Sequence, residues 1–301
     1  MEGKLASFLY GFKLCSEGSN SGYVVDQEIL TTGLPEYGFI RDRNSFTCRF
    51  PELKPAIDPE SLLLPAIAGQ EMFWTTVFHE LRNLSVHQLS PQAIRSEPKI
   101  GSDSRLSRDG GNAGDVLKHT SAEDHAWIEA RLGAAVSGIK RIKTKARVGR
   151  RLIIFDQEGQ GGEMYPFDAS SMSDGTIRCL AILLSLRQTP RPSLVMLDEI
   201  EDSLHPFAQG VLLDAIDAAS PESPVVVSTH NPEILSHPSA TPERIQVVQW
   251  DKGTSRIYRL SDEVINSLKP PQTVGRLLRS NALWTADEPS TTGAEADFFK
   301  V

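Results

Sequence analysis

The feature that most constrains this chain is a short apolar run that ends in two adjacent carboxylates, Leu194-Val195-Met196-Leu197-Asp198-Glu199. Continuous apolar runs are typical of parallel strands that are covered on both faces. Because ligands bind outside the carboxyl ends of such strands, Asp198 and Glu199 are predicted to lie where a site would form. An isolated Asp-Glu pair is more often a solvated acidic turn, so its meaning depends on the motifs around it.

A helix with a polar start precedes this strand. Ser173-Asp174-Gly175 comes directly before a broad apolar pattern that continues to Leu186, which predicts a helix capped by Ser173. The N-terminus of a helix offers free N–H groups and a positive partial charge to an anion, and Gly175 would let a phosphate approach the backbone closely. The alternative is that these residues form only a well-capped core helix.

A second apolar strand follows the acidic pair. Residues 224–228 predict a buried strand, and residues 206–218 carry apolar side chains at helical spacing between the two strands. Strand, helix and strand form one βαβ unit in which both strands end at the same edge. His230 would then lie at the same edge as Asp198, where a neutral imidazole can hydrogen-bond a phosphate. A lone histidine in such a place is more often a packing residue.

Four motifs in a fixed order resemble those of the ABC-type ATPases. They are Met172-Ser173-Asp174-Gly175-Thr176, Leu194 to Glu199, Ser203-Leu204-His205-Pro206 and Ser228-Thr229-His230-Asn231-Pro232. The sequence most resembles the RecF/SMC-like branch, which includes the predicted ATPases of DNA-repair and phage-defence loci. This resemblance implies an α/β fold: a parallel-sheet ABC/SMC-like nucleotidase head with an N-terminal antiparallel β subdomain.

The resemblance also implies ATP and Mg²⁺ as cofactors and gives roles to individual residues. Ser173 and Gly175 would form the signature that reaches the γ-phosphate of ATP held by the opposite subunit. Asp198 would be the Walker B acid that organises Mg²⁺, and Glu199 would be the catalytic base that orients the attacking water.

The remaining motifs of the resembled family are two histidines and a phosphate-binding loop. His205 lies in the stretch that resembles the D-loop and is assigned to cofactor binding, whereas His230 resembles the catalytic switch histidine. A loop of the form Gly-x-x-x-x-Gly-Lys-Ser/Thr, which should precede these motifs, is not found in the 301 residues. We therefore expect the chain to act with a second copy, as a homodimer, or with a P-loop-bearing partner subunit. Alone, it should bind ATP no better than roughly millimolar.

The sequence predicts four segments along the chain. Alternating apolar residues predict two antiparallel strands, from Leu5 to Leu14 and from Gly22 to Leu30. The four segments are an antiparallel β subdomain over residues 1–50, a helical and loop-rich insertion over 51–136, an ATPase core with signature, Walker B and switch histidine over 137–265, and a C-terminal extension with a disordered tail over 266–301.

Charge and cysteine usage narrow the class of protein. The formal net charge of −8 argues against a surface that is basic throughout. No apolar run is long enough for a membrane span, and three separated cysteines make no disulfide framework, so we expect a cytoplasmic protein without membrane contact. One stretch is basic: Arg141, Lys143, Lys145 and Arg147 alternate with uncharged residues and would share one face of a strand. That face either contacts DNA phosphates or is simply solvated.

Three functions compete for these motifs. The first is an ATP-binding and ATP-hydrolysing head of a RecF/SMC-like ATPase in DNA repair or phage defence. The second is a non-catalytic regulatory or interaction protein, a truncated or split ATPase half without the P-loop. The third is a metal-dependent nuclease that uses Asp198, Glu199, Glu201 and Asp202, which would need a further acidic cluster on a separate strand.

Overall fold

The fold is described by a computed structural model for residues 8–16, 22–33, 37–43, 45–48, 58–96, 101, 104–251, 253–268 and 272–280. The chain divides into two compact units, Met1–Arg82 with Ser290–Val301, and Asn83–Pro289. The described residues include no helix that is long and apolar enough to cross a membrane. The predicted disordered tail lies outside the described residues, which end at residue 280.

The described part of the first unit is an antiparallel sheet packed against two helices. Its elements are β1 (Phe8–Ser16), β2 (Tyr23–Thr32), β3 (Gly38–Asp42), β4 (Ser45–Cys48), α1 (Leu63–Ile67) and α2 (Met72–Arg82). The strands are hydrogen-bonded in the order β1-β2-β3-β4, and every neighbouring pair is antiparallel. Leu30 and Phe39 of the sheet and Trp74 of α2 belong to one buried cluster. The predicted pair of N-terminal antiparallel strands is confirmed; their turn, residues 17–21, lies outside the described residues.

A buried ion pair connects this sheet with the start of α1. The carboxylate of Glu28 accepts hydrogen bonds from two backbone N–H groups in the first turn of α1, at 2.6 and 3.0 Å. Arg41 Nη1 lies 3.5 Å from Glu28 Oε2, and the side chains of Arg41 and Glu28 are only 1% and 0% exposed. The same guanidinium donates to two backbone carbonyl groups in the segment before α1. This pair therefore joins three pieces of the first unit.

In the residues that the structure describes, the second unit contains three small sheets and the larger helices. Its elements are β5 (Leu84–His87), α3 (Pro91–Arg95), α4 (Ala113–His119), α5 (Ala122–Ala135), β6 (Ile139–Arg147), β7 (Arg150–Glu158), β8 (Met164–Asp168), α6 (Asp174–Arg187), β9 (Leu194–Leu197), α7 (Pro206–Ala219), β10 (Val225–Val227), β11 (Gln246–Asp251), β12 (Thr254–Arg259), α8 (Asp262–Ser267) and α9 (Val274–Arg279). The sheets have the orders β10-β9-β5, β6-β7-β8 and β11-β12. In the first of these sheets both strand pairs are parallel, as the βαβ pattern predicts.

The main core of the second unit is built around α6. Every residue from Thr176 to Arg187 is buried, and α6 packs on α5 and α7. Val195 and Leu197 of β9 belong to the same buried cluster. The helices predicted after Ser173 and between the two strands are thereby confirmed, and their bounds agree closely with the apolar spacing.

One face of the parallel sheet is exposed, which the sequence did not predict. Met196 of β9 is 37% exposed, and its neighbours Val86 of β5 and Val226 of β10 are 51% and 49% exposed. Side chains alternate between the two faces of a strand, so Val195 and Leu197 enter the helical core while Met196 points away from it. The prediction that β9 and β10 are buried on both faces is therefore wrong for one face.

Two further features differ from the sequence-based segments. Strand β5 lies within the predicted helical and loop-rich insertion, yet it pairs with β9 along its whole length. Helices α1 and α2 also lie in that predicted insertion, over residues 51–136, whereas the structure groups them with the N-terminal sheet in the unit that ends at Arg82. Their apolar side chains explain the grouping, because they complete the core of the antiparallel sheet.

Candidate functional site

The carboxyl ends of β9 and β10 meet at one edge, where Ser228 joins them. Leu197 and Val227 are partners in the parallel ladder, so Asp198 and Ser228 follow at the same level. Ser228 Oγ donates to Asp198 Oδ1 at 2.5 Å and accepts from the backbone N–H of Glu199 at 2.9 Å. A single hydroxyl group thus fixes the carboxylate of one acid and the backbone of the next. The sequence placed Ser228 at the end of a strand and in the motif that contains His230, but it gave Ser228 no contact with the acids.

A buried arginine from α6 lies behind the two acids. Arg178 Nη2 donates to the backbone carbonyl oxygens of Asp198 and Glu199, at 3.2 and 2.7 Å. Its Nη1 donates to the carbonyl of Leu89 at 2.8 Å and to the carboxylate of Asp202 at 3.2 Å. Glu199 has a φ of +48°, in the left-handed region that residues with a side chain rarely adopt. The turn that presents both acids is therefore held by side chains from two other elements.

Ser173 caps α6, as the sequence predicts. Its Oγ accepts from the backbone N–H of Thr176 at 3.2 Å. A Cβ atom at Gly175 would lie 2.7 Å from the carbonyl oxygen of Ser203, so glycine is needed for the start of α6 to pack against the segment after the acids. The structure thus brings together the two segments that resemble the signature and the D-loop. That Ser173 and Gly175 also contact a phosphate stays a prediction.

The side chain of His230 is exposed, and both its backbone and its ring contact the carboxylate of Glu201. The backbone N–H of His230 donates to Glu201 Oε1 at 3.0 Å, and the ring Nδ1 lies 3.3 Å from the same oxygen. The side chain of His230 is 79% exposed, whereas that of Glu201 is 8% exposed. Sequence reasoning placed Glu201 only among the acids of a nuclease, because the contact joins residues that are distant in the chain.

His205 caps the helix that follows the acids. Its Nδ1 accepts from the backbone N–H of Phe207 at 3.3 Å, at the start of α7. Nearby, Asn231 donates to Gln209 Oε1 at 3.3 Å, and Gln209 Nε2 donates to the carbonyl of Leu204 at 3.1 Å. These bonds join the segment after β10 to the D-loop-like segment. A contact of His205 with a cofactor stays a prediction.

A second arginine holds the loop before α6. Arg95 of α3 donates to the carbonyl oxygens of Ala169 and Met172, at 3.2 and 2.6 Å, and forms an ion pair with Asp174. Because Asp174 directly follows Ser173, Arg95 holds the residues on either side of Ser173. Neither Arg95 nor Arg178 is marked by the sequence, because neither belongs to one of the four motifs.

The acids at this edge fit a magnesium–nucleotide complex. Mg²⁺ is usually bound through one or two carboxylates together with substrate phosphates. Asp198 offers one such carboxylate, already oriented by Ser228. Within the part of the chain that the structure describes, no group of three or more His, Cys, Asp or Glu side chains is arranged to hold a metal ion. The edge thus offers a carboxylate of the kind that supplements phosphate ligands.

The basic stretch forms an exposed face of β6. Arg141, Lys143, Lys145 and Arg147 are all exposed, as the predicted alternation requires. Lys143 forms an ion pair with Asp156 of the neighbouring strand β7, whose side chain is mostly buried. The charge of Lys143 is therefore partly neutralised within the protein, so this lysine should contribute less to binding an external anion than the other three cations of the face.

Comparison with known families identifies the kind of domain. The family model described as "AAA domain, putative AbiEii toxin, Type IV TA system" matches residues 80–236, which is more than half of the chain. The chain belongs to this AAA domain family. The match includes Ser173, Asp198, Glu199 and His230, so the edge described above lies inside the family domain. No curated protein is similar enough to the chain to count as a match.

Solved structures of SMC heads show a weak likeness. A structure from a study of "ATP-driven dimerization and DNA stimulated activation of SMC ATPases" is 18% identical, with a TM-score of 0.37, over 46% of this chain and 84% of that one. An Smc head from Pyrococcus furiosus bound to the C-terminal domain of ScpA is 17% identical, with a TM-score of 0.35, over 46% and 35% of the two chains. An SmcHead bound to the C-winged helix domain of ScpA is 14% identical, with a TM-score of 0.46, over 81% and 70%. At these scores no residue role is transferred from them.

Proposed function

We propose that this chain is the ATP-binding and ATP-hydrolysing head of a RecF/SMC-like ATPase. The observation that carries the proposal is the hydroxyl of Ser228, which orders the Asp198 carboxylate and the Glu199 backbone at the carboxyl edge of a parallel sheet. Membership of the AAA domain family supports a nucleotide as the ligand of this edge. The proposal includes the fold: the parallel sheet and its helices would form a nucleotidase head of the RecF/SMC-like class.

Each residue of the edge has a task in this reaction. Bound Mg²⁺ would supply the positive charge that draws the phosphates toward the acids. Asp198 holds that ion through the carboxylate that Ser228 orients. Glu199 polarises the attacking water, and His230 donates a hydrogen bond to the terminal phosphate. Glu201, whose oxygen accepts from His230, keeps this imidazole at the edge.

The signature acts on ATP held by another subunit in this proposal. Ser173 and Gly175 lie at the N-terminus of a long helix, α6, whose free N–H groups favour an anion. His205, at the N-terminus of α7, contributes to nucleotide binding from the D-loop-like segment. The other subunit is a second copy of the chain or a P-loop-bearing partner. The exposed apolar face around Met196 is a surface that such an assembly would cover.

Mixing two inactive variants tests whether the site is shared between copies. Ser173→Asp keeps a residue that caps helices well but places a carboxylate where a phosphate would bind, and Glu199→Gln removes the base. We expect each variant alone to lose magnesium-dependent phosphate release. An equimolar mixture should recover about a quarter of the wild-type rate, because half of the dimers are mixed and each of those has one intact site.

The controls decide between the outcomes. Ser261 caps α8 in the same way, through the N–H of Val264. Because α8 packs in a buried cluster separate from that of β9, Ser261→Asp adds the same charge at another helix start and should stay active. A mixture as inactive as its two components would exclude a site shared in a homodimer. Absence of magnesium-dependent ATP turnover by wild-type protein and its co-purifying partners would favour the non-catalytic interaction protein.

DNA is the proposed macromolecular partner. The exposed cations of β6 support it, with Lys143 contributing least because Asp156 already pairs with it. The proposed setting is DNA repair or phage defence, and the family description, which names a putative toxin of a toxin–antitoxin system, supports the defence setting. Phage challenge of bacteria that express the wild-type chain or Glu199→Gln tests it, since only the wild type should change plaque number.

A further inference from the structure

We infer that Arg178 is a positioning residue that holds the backbone of both acids in the geometry that ATP hydrolysis needs. This inference rests on the proposed function and assigns a task to a side chain that contacts neither nucleotide nor water in it. Arg178 is only 4% exposed, although it carries a full charge. Buried charges require partners, and the partners of this one show what it is for.

The guanidinium binds main-chain atoms of the acids and leaves their carboxylates free. Nη2 is shared by the carbonyl oxygens of Asp198 and Glu199, and Nη1 binds the Leu89 carbonyl and the Asp202 carboxylate. An arginine that neutralised Asp198 or Glu199 directly would compete with Mg²⁺ and water for the same oxygens. Arg178 instead donates to the backbone carbonyl oxygens of the two acids, and among the described residues its ion-pair partner is the exposed Asp202.

The bond to Glu199 is made where the backbone is strained. At a φ of +48° a residue with a side chain lies in a sparsely populated region of backbone conformation, and it persists there only when neighbouring groups hold it in place. The shortest of the four Arg178 bonds, at 2.7 Å, goes to the carbonyl of Glu199 itself. The Ser228 hydroxyl holds the N–H of the same residue. The two peptide groups that flank Glu199 are therefore both held by hydrogen bonds to side chains.

The position of Arg178 on α6 extends this role to the signature. Arg178 lies in the first half of the helix that Ser173 caps, and the Leu89 carbonyl links it to the segment that leads into α3. Arg95 of α3 holds the loop before Ser173. The signature and the acids thus share one hydrogen-bonded framework, in which Arg178 binds the backbone carbonyl oxygens of both acids.

The test compares two buried arginines of the same helix. Arg178→Lys keeps the charge but loses the planar fork, which one ammonium group cannot reproduce. Misplacing reacting groups by about 1 Å can cost 10²-fold, so we expect kcat for ATP to fall by roughly 10–100-fold with KM nearly unchanged. Arg187→Lys is the matched control, because Arg187 is also buried but pairs with Glu222 away from the acids. It should retain the wild-type kcat.

Hydrogen exchange of the turn gives a readout that does not depend on activity. The N–H groups of Asp198, Asp202 and Leu204 bond to carbonyl oxygens of His87, Glu199 and Glu201, so a loosened turn should exchange faster. We expect faster exchange of a peptide over residues 198–204 in Arg178→Lys and no change in Arg187→Lys. This result would stand even if the wild type hydrolysed no ATP, in which case only the proposed function fails.

Two results would overturn the inference. One is unchanged exchange of residues 198–204 in Arg178→Lys; the other is an equal loss of kcat in both lysine variants. If Arg178→Lys does not fold, Arg178→Ala in millimolar methylguanidinium replaces it. Added methylguanidinium should restore slow exchange of the turn, and failure to do so in a folded variant would also contradict the inference.

Discussion

Two buried arginines, one in each unit, perform different tasks with the same chemical group. Arg41 in the first unit is 1% exposed and faces Glu28, a carboxylate that is itself fully buried. Arg178 in the second unit is 5% exposed as a side chain and faces Asp202, whose side chain is 57% exposed. Both guanidinium groups also donate to main-chain carbonyls. The difference lies in what the carboxylates are free to do.

The Glu28 carboxylate has no capacity left for a ligand. It accepts from two N–H groups of α1, from the Tyr10 hydroxyl and from Arg41. Burial, together with the negative charge of Glu28, raises the pKa of Tyr10 well above its usual value, so the phenol stays a hydrogen-bond donor. At the other site, Asp198 and Glu199 are exposed and Arg178 holds only their backbone. A closed network of this kind serves stability, whereas an open one can serve chemistry.

The largest effect of a mutation is expected at the open site, which consists of Asp198 and Glu199 with Arg178 and Ser228. Glu199→Gln should lower ATP turnover by roughly 10²–10⁴-fold, because losing a general base typically costs this much. Nucleotide binding and the thermal unfolding midpoint should stay close to wild type, since the arginine and Ser228 bond the backbone of Glu199. Phosphate release and nucleotide titration measure the two quantities separately.

Glu123→Gln supplies the matched control for that experiment, because Glu123 is an exposed acid in the first turn of α5. It should leave turnover unchanged. Wild-type turnover in Glu199→Gln would show that another group activates the water. It would also contradict the view that the open network serves catalysis.

At the closed site, which consists of Glu28, Arg41 and Tyr10, a mutation should change the free energy of unfolding and nothing else. Glu28→Ala removes one partner of a buried pair and leaves Arg41 uncompensated, which typically costs about 3–5 kcal/mol in unfolding free energy. Chemical denaturation of the first unit measures it. Asp26→Asn is the control, since Asp26 pairs with Lys13 and Arg43 at the surface, where ion pairs contribute little. Equal losses in both variants would mean that burial does not set the difference.

The charges of β6 offer a third case, in which cations are exposed and face solvent. Replacing Arg141, Lys145 and Arg147 with alanine should reduce the log–log salt slope of DNA binding by about 2.7, at roughly 0.9 per lost phosphate contact. Adding Lys143→Ala should reduce it little further, because Asp156 pairs with that lysine. Binding measured over a salt series gives the slope. An unchanged slope in the triple variant would make this a solvated face.

The sequence was most informative where local rules decide the structure. Ser173 was predicted as a cap because capping depends on neighbours three residues away, and the structure confirms it. The exposure of Met196 was not predictable, since an apolar residue in a strand gives the same pattern whether a helix covers it or not. The contacts of Glu201 with His230 and of Arg178 with Glu199 join positions 29 and 21 residues apart, which only the tertiary arrangement brings together.

The smallest predicted effect concerns His87, a buried group at the end of β5, beside the open site. Its Nδ1 lies 3.2 Å from the Ser107 carbonyl, and its Nε2 has no partner among the described side chains and backbone groups. Burial lowers the pKa of His87 below the ordinary value of 6.5, so the folded protein binds its proton less readily than the unfolded chain. The contribution of neutral His87 to the free energy of unfolding is therefore fully present above pH 6.5, and it is lost as pH falls through the lowered pKa.

His87→Asn tests this sign, because asparagine can still donate to the Ser107 carbonyl but cannot titrate. We expect the unfolding free energy of the wild type to decline more steeply than that of His87→Asn between pH 7 and pH 5, in roughly the range where histidines titrate. Denaturant titrations of both proteins across this range measure the slopes. Because Asp198 donates its backbone N–H to the His87 carbonyl, protonation should also loosen the acidic turn, which hydrogen exchange of residues 198–204 would detect. Parallel slopes for the two proteins would mean that the imidazole accepts a proton in the folded state at no cost in free energy. Protonating this buried histidine would then cost no more than protonating an exposed one.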